Sequence, residues 1–255
     1  MIGKEKEVEL LKTAINAAKL GGEEIMKIYG QEFEVFNKED NSPLTIADQN
    51  ANKVIEKLLN ETNIPILSEE GKHTDFDERK NWRQLWIVDP LDGTKEFVKR
   101  NGEFTVNIAL VENGVPVIGV IYVPVKNWLY YGYSNGAFKT VAEKTEELPI
   151  KTNRTSTVVV GSRSHPSIET AQYFEKLKNK YGEIELVSMG SSLKICLVAE
   201  GKADVYPRFA PTMEWDTAAG HAIVNFAGKK LIDIETNKAM VYNRERLRNN
   251  WFIVS

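Results

Sequence analysis

The stretch FTVNIALVENGVPVIGVIYVP, residues 104–124, limits the possible folds more than any other part of the chain. Two apolar runs rich in β-branched residues flank Asn113 and Gly114. Both central positions of a type I′ turn need positive φ, which asparagine and glycine tolerate best, so the pair predicts a tight hairpin between antiparallel strands. The apolar run VPVIGVIYVPV, 115–125, carries two prolines and a glycine and is far short of a bilayer span, so it reads as a buried strand.

Two helices precede the sheet. Val8, Leu11, Ile15, Ala18, Gly22, Ile25 and Tyr29 recur at steps of three and four, which predicts a helix over 4–29. Asp48 to Leu59 repeats the pattern, with Ala51, Val54, Ile55 and Leu58 on one side. IPIL (64–67) and LWIV (85–88) add short strands, so the first half reads as helices laid on an antiparallel sheet. The polar, aperiodic segment AEKTEELPIKTNRTS then predicts a boundary near residue 150 between an α+β half, 1–150, and an α/β half, 151–255. In the second half STVVVGS, IELVS, ADVYPR and KKLIDI alternate with helical patterns at 166–180, 190–200 and 215–227.

Composition excludes several classes of function. The 255 residues carry a formal net charge of −3 with acids and bases interspersed, so no basic face is expected to hold polymeric DNA or RNA. One cysteine, Cys196, forms no internal disulfide, and no CxxC pair or histidine cluster offers a zinc site. The N-terminus is amphipathic rather than basic followed by apolar, and no segment is long enough to span a membrane, so the expected location is the cytoplasm.

WIVDPLDGTKEF, residues 86–97, carries the chemistry. An apolar strand runs into Asp89 and Asp92, split by Pro90 and followed by Gly93 and Thr94. With Asp89 at the strand end and Asp92 capping a helical turn that begins at Gly93, both carboxylates face one pocket and suit Mg²⁺, a hard ion that prefers oxygen. The N–H groups of Gly93 and Thr94 at the helix start favour a phosphate. The plain alternative is a helix cap beside an Asp-Pro turn. ILSEEG ends a second strand in Glu69 and Glu70, and EWDTAAGHAIV opens a helix at Asp216 with small residues suited to close packing. Together these acids form a candidate site for more than one ion. GSRSH (161–165) is not G-x-S-x-G, and neither a P-loop nor a dinucleotide fingerprint occurs.

The set SEE, DPLDGT and WDTAAG, in that order, resembles the lithium-sensitive, Mg²⁺-dependent phosphatase superfamily of inositol monophosphatase and fructose-1,6-bisphosphatase. DPLDGTKEF followed by NGEFTVNIAL, with NSPLTIAD upstream and GSSLKICLVAEG downstream, resembles more narrowly the bacterial 3′(2′),5′-bisphosphate nucleotidases of the CysQ type. Inositol monophosphatases usually show asparagine where this chain has Glu96. The resemblance implies a layered αβαβα sandwich and two or three Mg²⁺ ions held by Glu69, Asp89, Asp92, Asp216 and the Leu91 carbonyl. It further implies that Thr94, Glu69 and Asp48 activate the attacking water, and that Leu91, Asp92, Gly93, Thr94 and Asp216 line the position of the departing phosphate.

For the rest of the substrate the second half offers Ser191 and Lys194 in MGSSLK, Arg208 in YPR and His165 in SRSH. A lysine and an arginine suit a second phosphate, and a histidine suits a base, although each residue also has an ordinary surface reading. The resemblance implies hydrolysis of 3′-phosphoadenosine 5′-phosphate to AMP, with its 5′-phosphosulfate as a further substrate, as in sulfur assimilation. The same chemistry on an inositol or sugar phosphate stays open, as does a non-catalytic nucleotide-binding module.

Overall fold

The computed structural model describes residues 2–31, 43–72, 74–161 and 167–255. Helices α1 (Lys4–Tyr29) and α2 (Pro43–Asn60) come first. A seven-stranded sheet follows: β1 (Ile66–Ser68), β2 (Gln84–Asp92), β3 (Thr105–Glu112), β4 (Val115–Val123), β5 (Trp128–Tyr133), β6 (Gly136–Val141) and β7 (Lys144–Leu148), adjacent in chain order. Short helices α3 (Phe76–Arg79) and α4 (Thr94–Val98) flank β2. β1 pairs with β2 in parallel and every other neighbour is antiparallel. The predicted hairpin joins β3 to β4, with Asn113 at φ 51° and Gly114 at φ 79°.

The remaining chain runs through β8 (Thr157–Gly161), α5 (Ile168–Tyr181), β9 (Ile184–Ser188), α6 (Leu193–Ala199), β10 (Tyr206–Arg208), α7 (Glu214–Phe226), β11 (Leu231–Asp233), β12 (Lys238–Ala239) and β13 (Phe252–Val254). β8 and β9 pair in parallel, while β10, β13, β11 and β12 form an antiparallel sheet in that order. A bridge between Val159 and Val205 links the two small sheets. From one side to the other the layers are α1 and α2, the large sheet, α6 and α7, the small sheets, and α5. This is the expected layered sandwich.

Strand alternation explains why LWIV reads as an unbroken apolar run. Trp86 and Val88 of β2 pack towards α1 and α2, with Ile108 and Leu110 of β3 beside them, whereas Leu85, Ile87, Ala109 and Val111 pack towards α6 and α7. The second of these cores contains residues from both sides of position 150, among them Ile121, Leu193, Ile223 and Phe252. The buried line on α1 is broader than the predicted stripe: Leu10, Ala14, Ala17 and Gly21 are fully buried, and Val8 and Ile15 are only half-buried, because the helix lies against α2 as well as β4. Among the described residues no helix is long and apolar enough to cross a membrane.

Among the glycines of the described residues, Gly119 at the seam between α7 and the sheet is the most closely enclosed. A Cβ at Gly119 of β4 would lie 2.2 Å from the Ala219 carbonyl oxygen and 2.8 Å from the Ala222 Cβ. The small residues after Asp216 therefore let α7 rest on the sheet backbone, as their spacing predicted.

Candidate active site

Asp89 and Asp92 are three residues apart, so in a regular strand they would point to opposite faces. They do not, because β2 carries an extra residue: Asp89 pairs with Asn107 and Asp92 with Thr105, three positions on β2 against two on β3. This bulge turns Asp92 to the α7 side, where Asp89 already points. The local structure therefore differs from the predicted cap. β2 runs through Asp92, Gly93 is the cap residue at φ 101°, and Thr94 is the first residue of α4. That φ suits glycine, and a Cβ there would also press on Phe104 Cα at 3.2 Å.

Glu69 joins from the next strand. β1 and β2 are parallel, with Ser68 opposite Val88, so Glu69 leaves β1 at the end where Asp89 sits, and its amide donates to the Val88 carbonyl at 3.1 Å. Its carboxyl is hydrogen-bonded to Asp89 and to the Trp215 side chain. Asp216 comes from the first turn of α7, not from its cap. It is the third helical residue, and its Oδ2 accepts the Met213 amide at 2.7 Å. Ligand oxygens of Asp89, Asp92 and Asp216 lie within 4.8 Å of one another. Buried Leu91 sits between the two strand acids, and its amide donates to Asp89 Oδ1 at 3.1 Å.

Bringing these acids together is electrostatically costly. Burial, with the charges of Glu70 and Glu69 behind it, pushes Asp48 of α2 up to about 8, and Asp48 Oδ1 is buried without a partner. Burial and then the Asp92 charge push Glu69 and Asp216 each up to about 7. Asp89 is held well above the ordinary carboxylate range by burial and by Asp92, Glu69 and Asp216. A hard cation would relieve each of these effects, which is the fit expected of a divalent-ion site.

Beside the acids opens a cavity of about 240 Å³, lined among others by Asp92, Gly93, Ser191, Lys194, Arg208 and Asp216. Six of the predicted substrate and metal residues, from distant parts of the chain, thus line one cavity. Burial pulls Lys194 down to about 8, against the opposing pull of Asp92, and its Nζ donates to the Met189 carbonyl at 3.3 Å. Arg208 ends β10 with Nη2 on the Pro211 carbonyl at 3.3 Å and a buried, unpartnered Nε. Ser191 lies before the helix rather than at its start: α6 begins at Leu193, and Ser191 takes φ 45° with its hydroxyl buried and unpartnered. His165 falls outside the described residues.

Sequence reasoning missed Ser192, Asn107 and Thr105, which surround Asp92, and the cavity walls Glu96, Tyr206, Thr212 and Thr217. Thr105 and Asn107 alternate along β3, so a strand reading of TVN that included the facing bulge would have found them.

Residues 6–252 match the inositol monophosphatase family. The chain belongs to that family. It is 45% identical over 250 residues to the 3′(2′),5′-bisphosphate nucleotidase CysQ of Salmonella typhimurium (strain LT2), covering 96% of this chain and 99% of the relative. The CysQ of Escherichia coli (strain K12) is 43% identical over the same shares. The crystal structure of CysQ from Bacteroides thetaiotaomicron, a bacterial member of the inositol monophosphatase family, superposes with TM-score 0.93 at 54% identity, covering 98% of this chain and 97% of that one. As a member of the inositol monophosphatase family the chain is a phosphatase, and the family is metal-dependent.

Proposed function

We propose that the protein hydrolyses 3′-phosphoadenosine 5′-phosphate to AMP and phosphate with Mg²⁺ as its metal. One observation carries this reading: Asp92 and Asp216, two of the three clustered acids that suit a hard cation, line the same cavity as Lys194 and Arg208. A substrate with two phosphates then meets opposite requirements within one cavity. The phosphate to be removed lies at Asp89, Asp92, Asp216 and Glu69, beside the backbone of Gly93, and the second pairs with Lys194 and Arg208. The nucleotidases that the chain resembles over nearly their whole length act on such bisphosphates by name.

Magnesium, when bound, supplies a Lewis acid that lowers the pKa of water and offsets charge on the phosphate. The chain's own residues do the rest. Glu69, Thr94 and Asp48 hold and orient the attacking water, with the carboxyls of Glu69 and Asp48 placed to accept its proton. Ile195 and Phe252 supply apolar surface among the mainly polar residues that line the cavity. The buried, unpaired Cys196 fits a reducing compartment, and we place the protein in the cytoplasm.

The test is phosphate release from 3′-phosphoadenosine 5′-phosphate, inositol 1-phosphate and fructose 1,6-bisphosphate in parallel, with Mg²⁺ and with EDTA, against an Asp92→Asn blank. The expected result is Mg²⁺-dependent release that favours the nucleotide and vanishes in the variant. Preference for inositol or sugar phosphate overturns the substrate, and no release from any of the three overturns the catalytic reading.

A further inference from the structure

We propose that Ser192 is a positioning residue that fixes Asp92 as an ion ligand and sets its distance from Asp216. This rests on the reading of the acid cluster as a metal site. Ser192 lies in the loop between β9 and α6, is 3% exposed, and touches both acids. Its amide donates to Asp92 Oδ2 at 2.6 Å and its hydroxyl lies 2.7 Å from the same oxygen. The hydroxyl also lies 2.8 Å from the main-chain carbonyl of Asp216 and accepts the Asn107 amide group at 3.0 Å. Thr105 Oγ1 fixes Asn107 in turn, through its Oδ1 at 2.9 Å.

The consequence lies in which oxygen stays free. Weaker contacts from Asn107 Nδ2 at 3.4 Å and Thr105 Oγ1 at 3.5 Å also converge on Oδ2, so the donors gathered around Asp92 occupy one oxygen and leave Oδ1 for a ligand. Charge-assisted bonds of this kind hold a carboxylate in one orientation. Asp92 arrives on a strand bulge and Asp216 on a helix more than a hundred residues later, and the Ser192 hydroxyl lies within hydrogen-bond distance of an oxygen of each, its one proton donated to one of them at a time. A serine that only supported the fold would have no reason to act on ion affinity. One that orients a ligand should act on it directly, as partners of metal ligands do.

The measurement is a calorimetric titration of the purified, EDTA-stripped protein with Mn²⁺ alone, with circular dichroism to confirm folding. Ser192→Ala should weaken Mn²⁺ binding about tenfold or more. Ser192→Thr, which keeps the hydroxyl, should bind as the wild type does. Ser192→Cys preserves volume but donates weakly, so it should resemble alanine and serves as the second variant if alanine fails to fold. In an Asp92→Asn background Ser192→Ala should cause no further loss, because the two act through one carboxylate. Wild-type Mn²⁺ affinity in folded Ser192→Ala or Ser192→Cys overturns the proposal, as does a fully additive double variant. A wild type that takes up no Mn²⁺ sinks the underlying ion reading, and with it the proposal.

Discussion

Replacing Gly119 by alanine should injure catalysis from a position that touches no substrate. The added methyl would sit 2.2 Å from the Ala219 carbonyl oxygen, where ordinary contact begins near 3.4 Å, so α7 must retreat by roughly 1 Å. Neither neighbour can yield locally, since one is helix backbone and the other a Cβ with no rotamer to change. Overpacking of this kind costs about 1–3 kcal/mol, which for a chain of this size corresponds to a fall in melting temperature of about 2–12 °C. Asp216 stands three residues before Ala219 on the same helix and moves with it. Misplacing a catalytic group by about 1 Å costs on the order of a hundredfold in rate.

Two assays on one protein preparation decide the matter. Thermal unfolding reads the packing cost, and Mg²⁺-dependent phosphate release at saturating substrate reads the displacement of Asp216. A variant that loses stability but keeps wild-type turnover would refute the claim that α7 height sets the acid geometry. One that keeps both would refute the contact itself. Ala222→Gly in the same background relieves only part of the clash, because the Ala219 carbonyl remains, so it should restore stability incompletely.

The acid cluster predicts an unusual pH dependence for the ion-free protein. Asp48, Glu69 and Asp216 have folded-state values raised to about 8, 7 and 7, so between about pH 4 and 8 the folded state holds more protons than the unfolded chain, and stability falls as pH rises. Urea midpoints in EDTA should be lower at pH 8 than at pH 5, with Mg²⁺ reversing the loss; a higher midpoint at pH 8 in EDTA would sink this reading. Far from the acids, Glu200 is 1% exposed and pairs with buried Lys139 at 2.9 Å and with the Tyr130 hydroxyl. Glu200→Ala strands that ammonium against Trp128 and Tyr130 and should cost about 3–5 kcal/mol, read as a melting temperature lower by about 10 °C. An unchanged melt would mean that Lys139 finds another partner.

Sequence patterning revealed the elements and the acids for the same reason: both are local. Asn113 and Gly114 specify their turn through their own φ angles, and DPLDGT places two carboxylates within four residues whatever the rest of the chain does. What escaped was relational. Asp92 reads as a cap because nothing in β2 alone announces the bulge, which exists only as a mismatch of register with β3. Nothing in MGSSLK alone sets Ser192 apart from Ser191, because its bonds depend on α7 and β3 arriving beside it. The breadth of the buried face on α1 likewise depends on having two neighbours, since a single stripe fits only one.

The seam at Gly119 and the hydroxyl of Ser192 both bear on where Asp216 sits, and their geometries are linked. The sheet sets how closely α7 approaches, while Ser192 spans from Asp92 on that sheet to the Asp216 carbonyl on α7 at 2.8 Å. A retreat of α7 by about 1 Å would stretch that bond to about 3.8 Å, beyond hydrogen-bonding range, while leaving the Ser192 bonds to Asp92 intact. Gly119→Ala should therefore remove the tie between the two acids without disturbing the orientation of the first. Ser192→Ala removes the hydroxyl from both. Mn²⁺ affinity measured in the two variants separates the orientation of Asp92 from the spacing of Asp92 and Asp216, and the second loss should exceed the first if orientation of the carboxylate is the larger effect.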